Sequence, residues 1–534
     1  MKWNFESAPP EVTLESFTHN PFLSVVASAR TCYAGQPIAI EKVREERKDP
    51  EKAKKQNEMY KSLLKAGHHT TFQHSSFTFS LDNISRLAIW SFFHTHPFYN
   101  SEQVSQRYRK MSAEDVVIPK FDNEYFSKIY KFAVNEAFAA YFKINELIHP
   151  EIQRRYFELY PKRKEVTDLK EAEAFAGEIY KKCQEVGRFI LPLATIAHMK
   201  HTVNGLEMLR YYAIARQCDV PDEASFIVNA MAEEVRKIDP CFFEINGEEV
   251  VNMLGEEDGL ERKIIRGLGE MGLTSNPLVF AERFDKKLGK HRSLLVSSDF
   301  NLENNFANSI RAVLGCERIS DDEAISLALD PAKNPYLGHK LYLATHSPLM
   351  QTMNHVNFTF MKRINGSEDA QNQRHRMTPS SSPVLLQHIT KSPDVELPYF
   401  IGLNREAKDL FYTTVRKMWH AKNELSGAKP EYALYLLPNA HNLRFYESGS
   451  LLNYYWKWAK RLCYNAQREI FLTGVDEVAQ VQNKYPEIGK YIAPPCVLRN
   501  CAGINPKCPE GERYCGVPIW KEYSMKKLVE NRPF

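Results

Sequence analysis

The sequence predicts an α+β fold built from two related halves. The chain has 534 residues, about three and a half times a 150-residue domain. A His-x-x-Phe-Thr-Phe stretch occurs twice, at His74–Phe79 and at His355–Phe360, 281 residues apart. A Leu-Pro pair also recurs, at Leu191-Pro192 and Leu437-Pro438, 246 residues apart. Two diverged copies of one α+β unit explain this length better than several unrelated domains.

Each element of the repeat has its own justification. The Phe-Thr-Phe segments are predicted strands, because Thr and aromatic side chains suit a pleated surface that is buried on one face. Turn-like segments precede them, at His68–Thr71 and Thr345–Pro348. The stretches Gly205–Arg216 and Ser450–Ile470, which follow the Leu-Pro pairs, carry Leu, Tyr and Ala at helical spacing. We therefore expect each half to have a central antiparallel or mixed sheet flanked by helices.

The repeat divides the chain into residues 1–265 and residues 280–534, with a glycine-containing connector near Gly255–Thr274. The offset between equivalent positions falls from 281 to 246, so the first half contains 35 extra residues. We place these residues between Phe121 and Arg188, because that segment is charged, rich in Tyr and helical in pattern.

Composition indicates a globular protein, with 43% hydrophobic and 25% charged residues. A net charge of +4 is too balanced for a dedicated nucleic-acid-binding surface, although a local basic pocket could hold a phosphate. No run approaches the roughly 18 apolar residues of a membrane span, and the N-terminus lacks the apolar run of a secretory signal. Ten cysteines are too few for a disulfide scaffold. We expect a cytoplasmic protein with no nucleic-acid or membrane partner.

Three motifs carry candidate chemistry. In Arg374-His375-Arg376, two guanidiniums flank an imidazole, which suits a phosphate, a pyrophosphate or an anionic ring. The segment Ser105–Tyr108 places a hydroxyl and a guanidinium two residues apart, on one face of an extended chain. Arg461 opens a predicted helix on which polar residues recur at four-residue spacing. Taken alone, each motif is more typical of an exposed loop or helix face.

Four of the ten cysteines crowd into the tail at residues 496–515: Cys496, Cys501, Cys508 and Cys515. Four thiolates could hold zinc or an iron–sulfur cluster, but the C-x2-C pairs of a zinc ribbon are missing. We therefore predict no metal site and interpret these four cysteines as structural or free thiols. They remain the candidate ligands if a metal is bound.

Together, the His-x-x-Phe-Thr-Phe strand, Arg-His-Arg, Ser-Gln-Arg-Tyr and an Arg-x4-Ala-Gln-x-Glu-Ile helix resemble the flavin-dependent thymidylate synthase (ThyX) family. The resemblance covers most of both halves and implies a tandem fusion of two ThyX-like domains. The family signature is divided between them. The first copy keeps Ser-x-Arg-Tyr but reads His94–Pro97 at Arg-His-Arg, whereas the second keeps Arg-His-Arg but reads Ser382–Leu386 at Ser-x-Arg-Tyr.

The resemblance implies reductive methylation of dUMP to dTMP, with FAD as the cofactor and NADPH and methylene-tetrahydrofolate as co-substrates. The redox chemistry belongs to the cofactor, so the protein supplies orientation and electrostatics. One alternative is a catalytically degenerate paralogue that binds nucleotide or flavin. Another is a related flavin-dependent enzyme that modifies a different pyrimidine nucleotide.

The resemblance also implies residue roles. Arg461 would face the pyrimidine and His355 would lie beside the flavin, as the catalytic pair. Other residues would bind the cofactor: Arg374, His375, Arg376, His74 and Asn204. A third set would bind the nucleotide: Gln103, Ser105, Arg107 and Arg444.

Family active sites lie at subunit interfaces of a homotetramer, so two fused copies could form a homodimer that acts as a pseudo-tetramer. Since neither copy keeps a complete signature, we expect composite sites. Such a site would combine Ser105 and Arg107 of the first copy with Arg374–Arg376 and Arg461 of the second.

Overall fold

The computed structural model describes residues 3–107, 109–217, 219–245, 259–274 and 276–534. Tyr108 of the Ser-Gln-Arg-Tyr motif and residues 255–258 of the predicted connector lie outside them. The described residues contain seven strands: β1 Glu11–Phe17, β2 Ser76–Ser85, β3 Tyr99–Gln103, β4 Ile196–Asn204, β5 Ser293–Ser298, β6 Asn357–Asn365 and β7 Asn442–Ser450. They form two sheets, in the orders β1-β2-β4-β3 and β5-β6-β7, and every pairing is antiparallel. The predicted α+β class is confirmed.

Helices surround both sheets. The first half contains Pro21–Thr31, Ile40–Glu46, Pro50–Lys65, Arg86–Ala88, Glu124–Leu159, Leu169–Gly187, Gly205–Ile214, Pro221–Ile238, Pro240–Glu244 and Leu260–Glu270. The second half contains Pro277–Leu288, Leu302–Leu314, Asp321–Leu329, Pro348–Gln351, Gly366–Asn372, Leu385–His388, Tyr399–Leu403, Arg405–Ser426, Pro430–Ala433, Leu451–Arg461, Arg468–Lys484, Pro486–Gly489, Pro495–Cys501 and Met525–Glu530. Within the described residues, none of these helices combines the length and apolar character needed to cross a membrane.

The repeated Phe-Thr-Phe segments are strands, as predicted. The Phe side chains of both segments are buried, at Phe77 and Phe79 in β2 and at Phe358 and Phe360 in β6. The Thr side chain between each pair points to the other, partly exposed face of its sheet. In the first sheet β2 lies between β1 and β4, and in the second sheet β6 lies between β5 and β7. The two sheets therefore share one topology, and the first adds the edge strand β3.

Strand register identifies equivalent positions in the two sheets. Phe79 lies opposite His201 and Phe360 lies opposite Glu447, so His201 and Glu447 occupy the same place. At the sheet edge, Ser101 of β3 pairs with His201. An isolated bridge from Ser380 to Glu447 corresponds to that pairing in the second half.

The two Leu-Pro segments meet each other at the centre of the molecule. Pro192 lies opposite Pro438 in an isolated antiparallel bridge, so each segment pairs with its own equivalent. The Leu193 amide donates to the Leu437 carbonyl at 2.8 Å, and the Asn439 amide donates to the Leu191 carbonyl at 2.9 Å. This reciprocal pairing is the pattern of a two-fold interface, here formed between two halves of one chain.

The extra residues of the first half form helices at the predicted place. Glu124–Leu159 has 36 residues and Leu169–Gly187 has 19, whereas Arg405–Ser426 in the second half has 22. The long helix packs against Arg405–Ser426, and one apolar core contains residues of both halves. Because the halves share this core, the boundaries at residues 265 and 280 stay a prediction.

Candidate active site

A cavity of about 840 Å³ lies between the two halves of the chain. Its volume falls in the range of about 300–1,000 Å³ that is typical of small-molecule sites. Its lining includes Gln103, Ser105 and Arg107 of the first half, and Arg374 and Arg461 of the second. Four residues predicted for one composite site, Ser105, Arg107, Arg374 and Arg461, therefore share one cavity within a single chain, together with the predicted nucleotide-binding residue Gln103.

The edge strand β3 places the first-half residues. Gln103 ends this strand, and the Val104 amide donates to the His198 carbonyl of β4 at 3.0 Å, which holds the chain as it leaves the sheet. The chain then turns, and the Ser105 hydroxyl accepts from the Arg107 amide at 3.3 Å. Backbone pairing up to Gln103 and a turn after it direct the motif into the cavity.

Arg107 joins the two halves across the cavity wall. Its guanidinium lies 2.9 Å from the carboxylate of Glu185, on the helix Leu169–Gly187, and donates to the Asn465 carbonyl at 3.0 Å. Burial raises the pKa of Glu185, but Arg107, Lys182 and Arg188 outweigh it and hold that pKa at about 2. Glu185 is therefore ionised at neutral pH and fixes the Arg107 side chain.

The cavity is strongly basic, with ten Lys and Arg side chains in its lining against four Glu. The Nε atoms of Arg86, Arg188 and Arg461 are buried, and each lacks a hydrogen-bond partner. Burial and neighbouring guanidiniums lower their pKa values, to about 10 for Arg86 and about 9 for the other two. An anion among these groups would supply the missing acceptors and favour the charged forms.

Arg86, Arg188 and Gln371 line the cavity but were not nominated from the sequence. Arg461 donates to the Gln371 carbonyl, and the Gln371 side chain donates to the Gln467 carboxamide at 2.9 Å. The positions of Arg86 and Arg188 in the sequence could have identified them as candidate site residues. Arg86 directly follows β2 and Arg188 lies just before the first Leu-Pro pair, so both flank repeated motifs.

The Arg-His-Arg motif is only partly directed into the cavity. Arg374 lines it, with a side chain that is 50% exposed and lies 3.9 Å from Glu102. Arg376 instead contacts the first half, donating to the Asn100 side chain at 2.9 Å. His375 has a buried Nε2 atom without a partner, and burial holds its pKa well below the usual range, so the imidazole is neutral.

Four other nominated residues do not line this cavity. His74 and His355 are exposed, each just before its Phe-Thr-Phe strand. Asn204 caps the helix Gly205–Ile214, accepting from the Glu207 amide at 3.0 Å. Arg444 is held by two carboxylates, at 2.8 Å from Asp285 and 2.5 Å from Asp394. A guanidinium paired in this way on β7 stabilises the second sheet rather than contacting the cavity.

One known family matches both halves of the chain. The family described as thymidylate synthase complementing protein matches residues 13–241 and 301–487. A flavin-dependent thymidylate synthase of Clostridium tetani (strain Massachusetts / E88) is 26% identical over 244 residues, covering 45% of this chain and 88% of that protein. The crystal structure of a UMP/dUMP methylase, PolB from Streptomyces cacaoi, bound with 5-Br dUMP, is 16% identical with a TM-score of 0.32, covering 46% of this chain and 96% of that chain. The chain belongs to the thymidylate synthase complementing protein family, whose sequence pattern it contains twice.

Proposed function

We propose that this protein is a flavin-dependent thymidylate synthase-like enzyme that converts dUMP to dTMP by reductive methylation. Methylene-tetrahydrofolate is the carbon donor and NADPH the reductant. One observation carries the proposal: the nucleotide-loop residues Ser105 and Arg107 of the first half share a basic cavity with Arg374 and Arg461 of the second. Membership of the family supports the reaction class.

Ser105 and Arg107 are the proposed clamp for the nucleotide phosphate. A guanidinium gives charge-assisted hydrogen bonds to phosphate oxygens, and a serine hydroxyl adds one more donor. Arg107 is already oriented by Glu185 and Asn465, so little side-chain entropy is lost when the phosphate binds.

Arg461 and Gln103 are the proposed contacts to the pyrimidine. The partly buried guanidinium of Arg461 can stabilise negative charge that develops on the uracil ring, which makes C5 more nucleophilic. The Gln103 side-chain oxygen is buried without a hydrogen-bond partner and can accept from the N3–H group of uracil. These contacts would favour a uracil over a cytosine base.

FAD, when bound, supplies the hydride chemistry of the proposed reaction. The unpartnered Nε atoms of Arg86, Arg188 and Arg461 fit a second anionic group beside the nucleotide, such as a flavin or its pyrophosphate. Arg374 would hold the flavin at the cavity mouth. The other residues proposed for the flavin lie outside this cavity, which supports a homodimer in which a second chain completes the site: His74, Asn204, His355, His375 and Arg376.

Release of tritium from [5-³H]dUMP, measured with and without methylene-tetrahydrofolate and NADPH, tests the reaction. Wild-type protein containing FAD should release tritium, and Arg107→Ala and Arg374→Ala should each abolish release. Arg405→Ala is the matched control, because that side chain is 96% exposed and does not line the cavity. Full activity in either cavity variant would exclude the composite site. Colourless protein that binds dUMP without turnover would identify a non-catalytic relative.

A further inference from the structure

Four cysteines from separate parts of the second half line one small cavity at the end of the chain. Cys463 follows the helix Leu451–Arg461, Cys496 lies in the first turn of Pro495–Cys501, and Cys508 and Cys515 lie on the loop beyond. Cys501, which the sequence grouped with the tail cysteines, is exposed and does not line this cavity. The structure therefore replaces Cys501 by Cys463 in the four-cysteine group.

The surroundings suit sulfur atoms that bind a metal. The rest of the cavity lining is mostly apolar, with Pro494, Pro495, Val517, Ile519 and Trp520 among its members. All four cysteines are free thiols, not disulfides.

We propose that Cys463, Cys496, Cys508 and Cys515 hold a metal centre with four thiolate ligands, an iron–sulfur cluster or a zinc ion. Each thiol loses its proton to solvent as its metal–sulfur bond forms. Among the described residues, no His, Cys, Asp or Glu group is arranged closely enough for one metal ion. An iron–sulfur cluster distributes four thiolates over several iron atoms and so needs a less close approach of the sulfurs than one zinc ion does.

This centre would support one wall of the basic cavity. Cys463, Asn465 and Cys515 line both cavities, and the Asn465 side chain donates to the Arg513 carbonyl at 2.9 Å. The carbonyl of the same Asn465 accepts from Arg107. A metal that joins the Cys463 turn to the tail loop would therefore fix the partner of the proposed phosphate clamp.

Metal analysis of the full-length protein, purified without oxygen, tests the ligand set. Wild type and Cys501→Ser should each contain one centre per chain, and Cys463→Ser and Cys508→Ser should lose it. Iron with equimolar acid-labile sulfide would identify a cluster, and zinc without sulfide would identify a single ion. Metal-free wild type that also takes up neither Zn²⁺ nor iron with sulfide would overturn the proposal, as would equal loss in Cys501→Ser.

Two further measurements keep the test independent of folding and of catalysis. Wild-type protein stripped by a chelator should lose the metal and regain it on reconstitution, which needs no variant to fold. Metal content does not depend on turnover, so failure of tritium release leaves this proposal standing. The link to the cavity rests on the proposed function, and predicts about tenfold weaker dUMP binding in the stripped protein, since a hydrogen bond to a charged group is loosened.

Discussion

Two equivalent loops, one in each half, have opposite surroundings. In the first half, the loop after β3 presents Ser105 and Arg107 to the basic cavity. In the second, the loop after Ser380 becomes the short helix Leu385–His388, in which Leu385 is fully buried and its amide donates to the Asp219 carboxylate at 3.2 Å. The difference shows how a duplicated domain can keep a polar loop at one site while its equivalent becomes part of the core.

The same contrast exists inside the sheets. In the second half, the Lys362 ammonium lies 3.0 Å from Glu447 and 2.6 Å from Glu477, and Lys457 also contacts Glu447. The equivalent first-half positions are Leu81, His201 and Tyr211, where the His201 ring and the Tyr211 hydroxyl lie 2.9 Å apart. Burial raises the pKa of Glu447, but the two ammonium groups outweigh it and keep the carboxylate ionised. One half therefore buries ions where the other buries a neutral pair.

Replacing the buried ammonium by its first-half counterpart should have the largest effect. In Lys362→Leu, Glu477 loses the ammonium at 2.6 Å, and Glu447 keeps the Lys457 ammonium and the Asn372 amide as partners. Removing one partner of a buried ion pair costs about 3–5 kcal/mol, so the free energy of unfolding in urea should fall by that amount. Lys128→Leu, on an exposed helix position, is the control. A loss below about 1 kcal/mol would show that the network is replaceable by apolar packing.

The two halves also differ at a buried carboxyl group, which makes stability depend on pH. The second half has Asp369 at this position, and the first half has Ala88. The buried Asp369 carboxylate accepts from the Trp90 indole at 2.6 Å, and burial raises its pKa to about 6. The unfolded chain ionises first, so the free energy of unfolding should fall as pH rises from about 4 to 6, by about 3 kcal/mol.

Asp369→Asn should remove that dependence, which urea unfolding of both proteins between pH 4 and pH 7 would measure. The exposed Asp409→Asn is the control and should keep the wild-type slope. Parallel curves for Asp369→Asn and wild type would mean that the Asp369 carboxylate is ionised throughout this range.

Arg107→Leu gives the first loop the leucine found at position 386 of the second. Loss of a charge-assisted contact of about 1.5–3 kcal/mol should weaken dUMP binding by about 10- to 150-fold in calorimetry. Arg405→Leu is the control. Arg107→Leu is then measured again in protein that also carries Glu185→Gln. In that protein no unpaired Glu185 carboxylate remains, so the loss of dUMP affinity reports the lost phosphate contact alone. Affinity within twofold of wild type would place the phosphate elsewhere.

The smallest expected effect on affinity is that of Arg374→Ala. This half-exposed side chain is the proposed flavin contact, so dUMP affinity should change by less than about fivefold even though tritium release is lost. Calorimetry measures the dUMP affinity and the tritium assay measures turnover, both on the same preparation. A loss of affinity as large as that of Arg107→Leu would make Arg374 a second phosphate ligand.

Several features could be predicted from the sequence because they depend on local pattern. Alternating Phe-Thr-Phe segments gave β2 and β6, and the charged, Tyr-rich segment became the two extra helices. The partners of individual side chains were harder to predict from the sequence. Arg444 resembled a phosphate ligand, but Asp285 and Asp394 contact it, and neither carboxylate stands near it in the chain.

The sequence by itself determined that the chain contains two copies of one fold and that their motifs are complementary. Only the tertiary structure decided which groups meet: Arg107 with Arg461 in one cavity, and Cys463 rather than Cys501 with the tail cysteines. The physical reason is that periodicity fixes which face of an element is buried, whereas contacts between distant segments depend on how the halves pack about their shared Leu-Pro pairing.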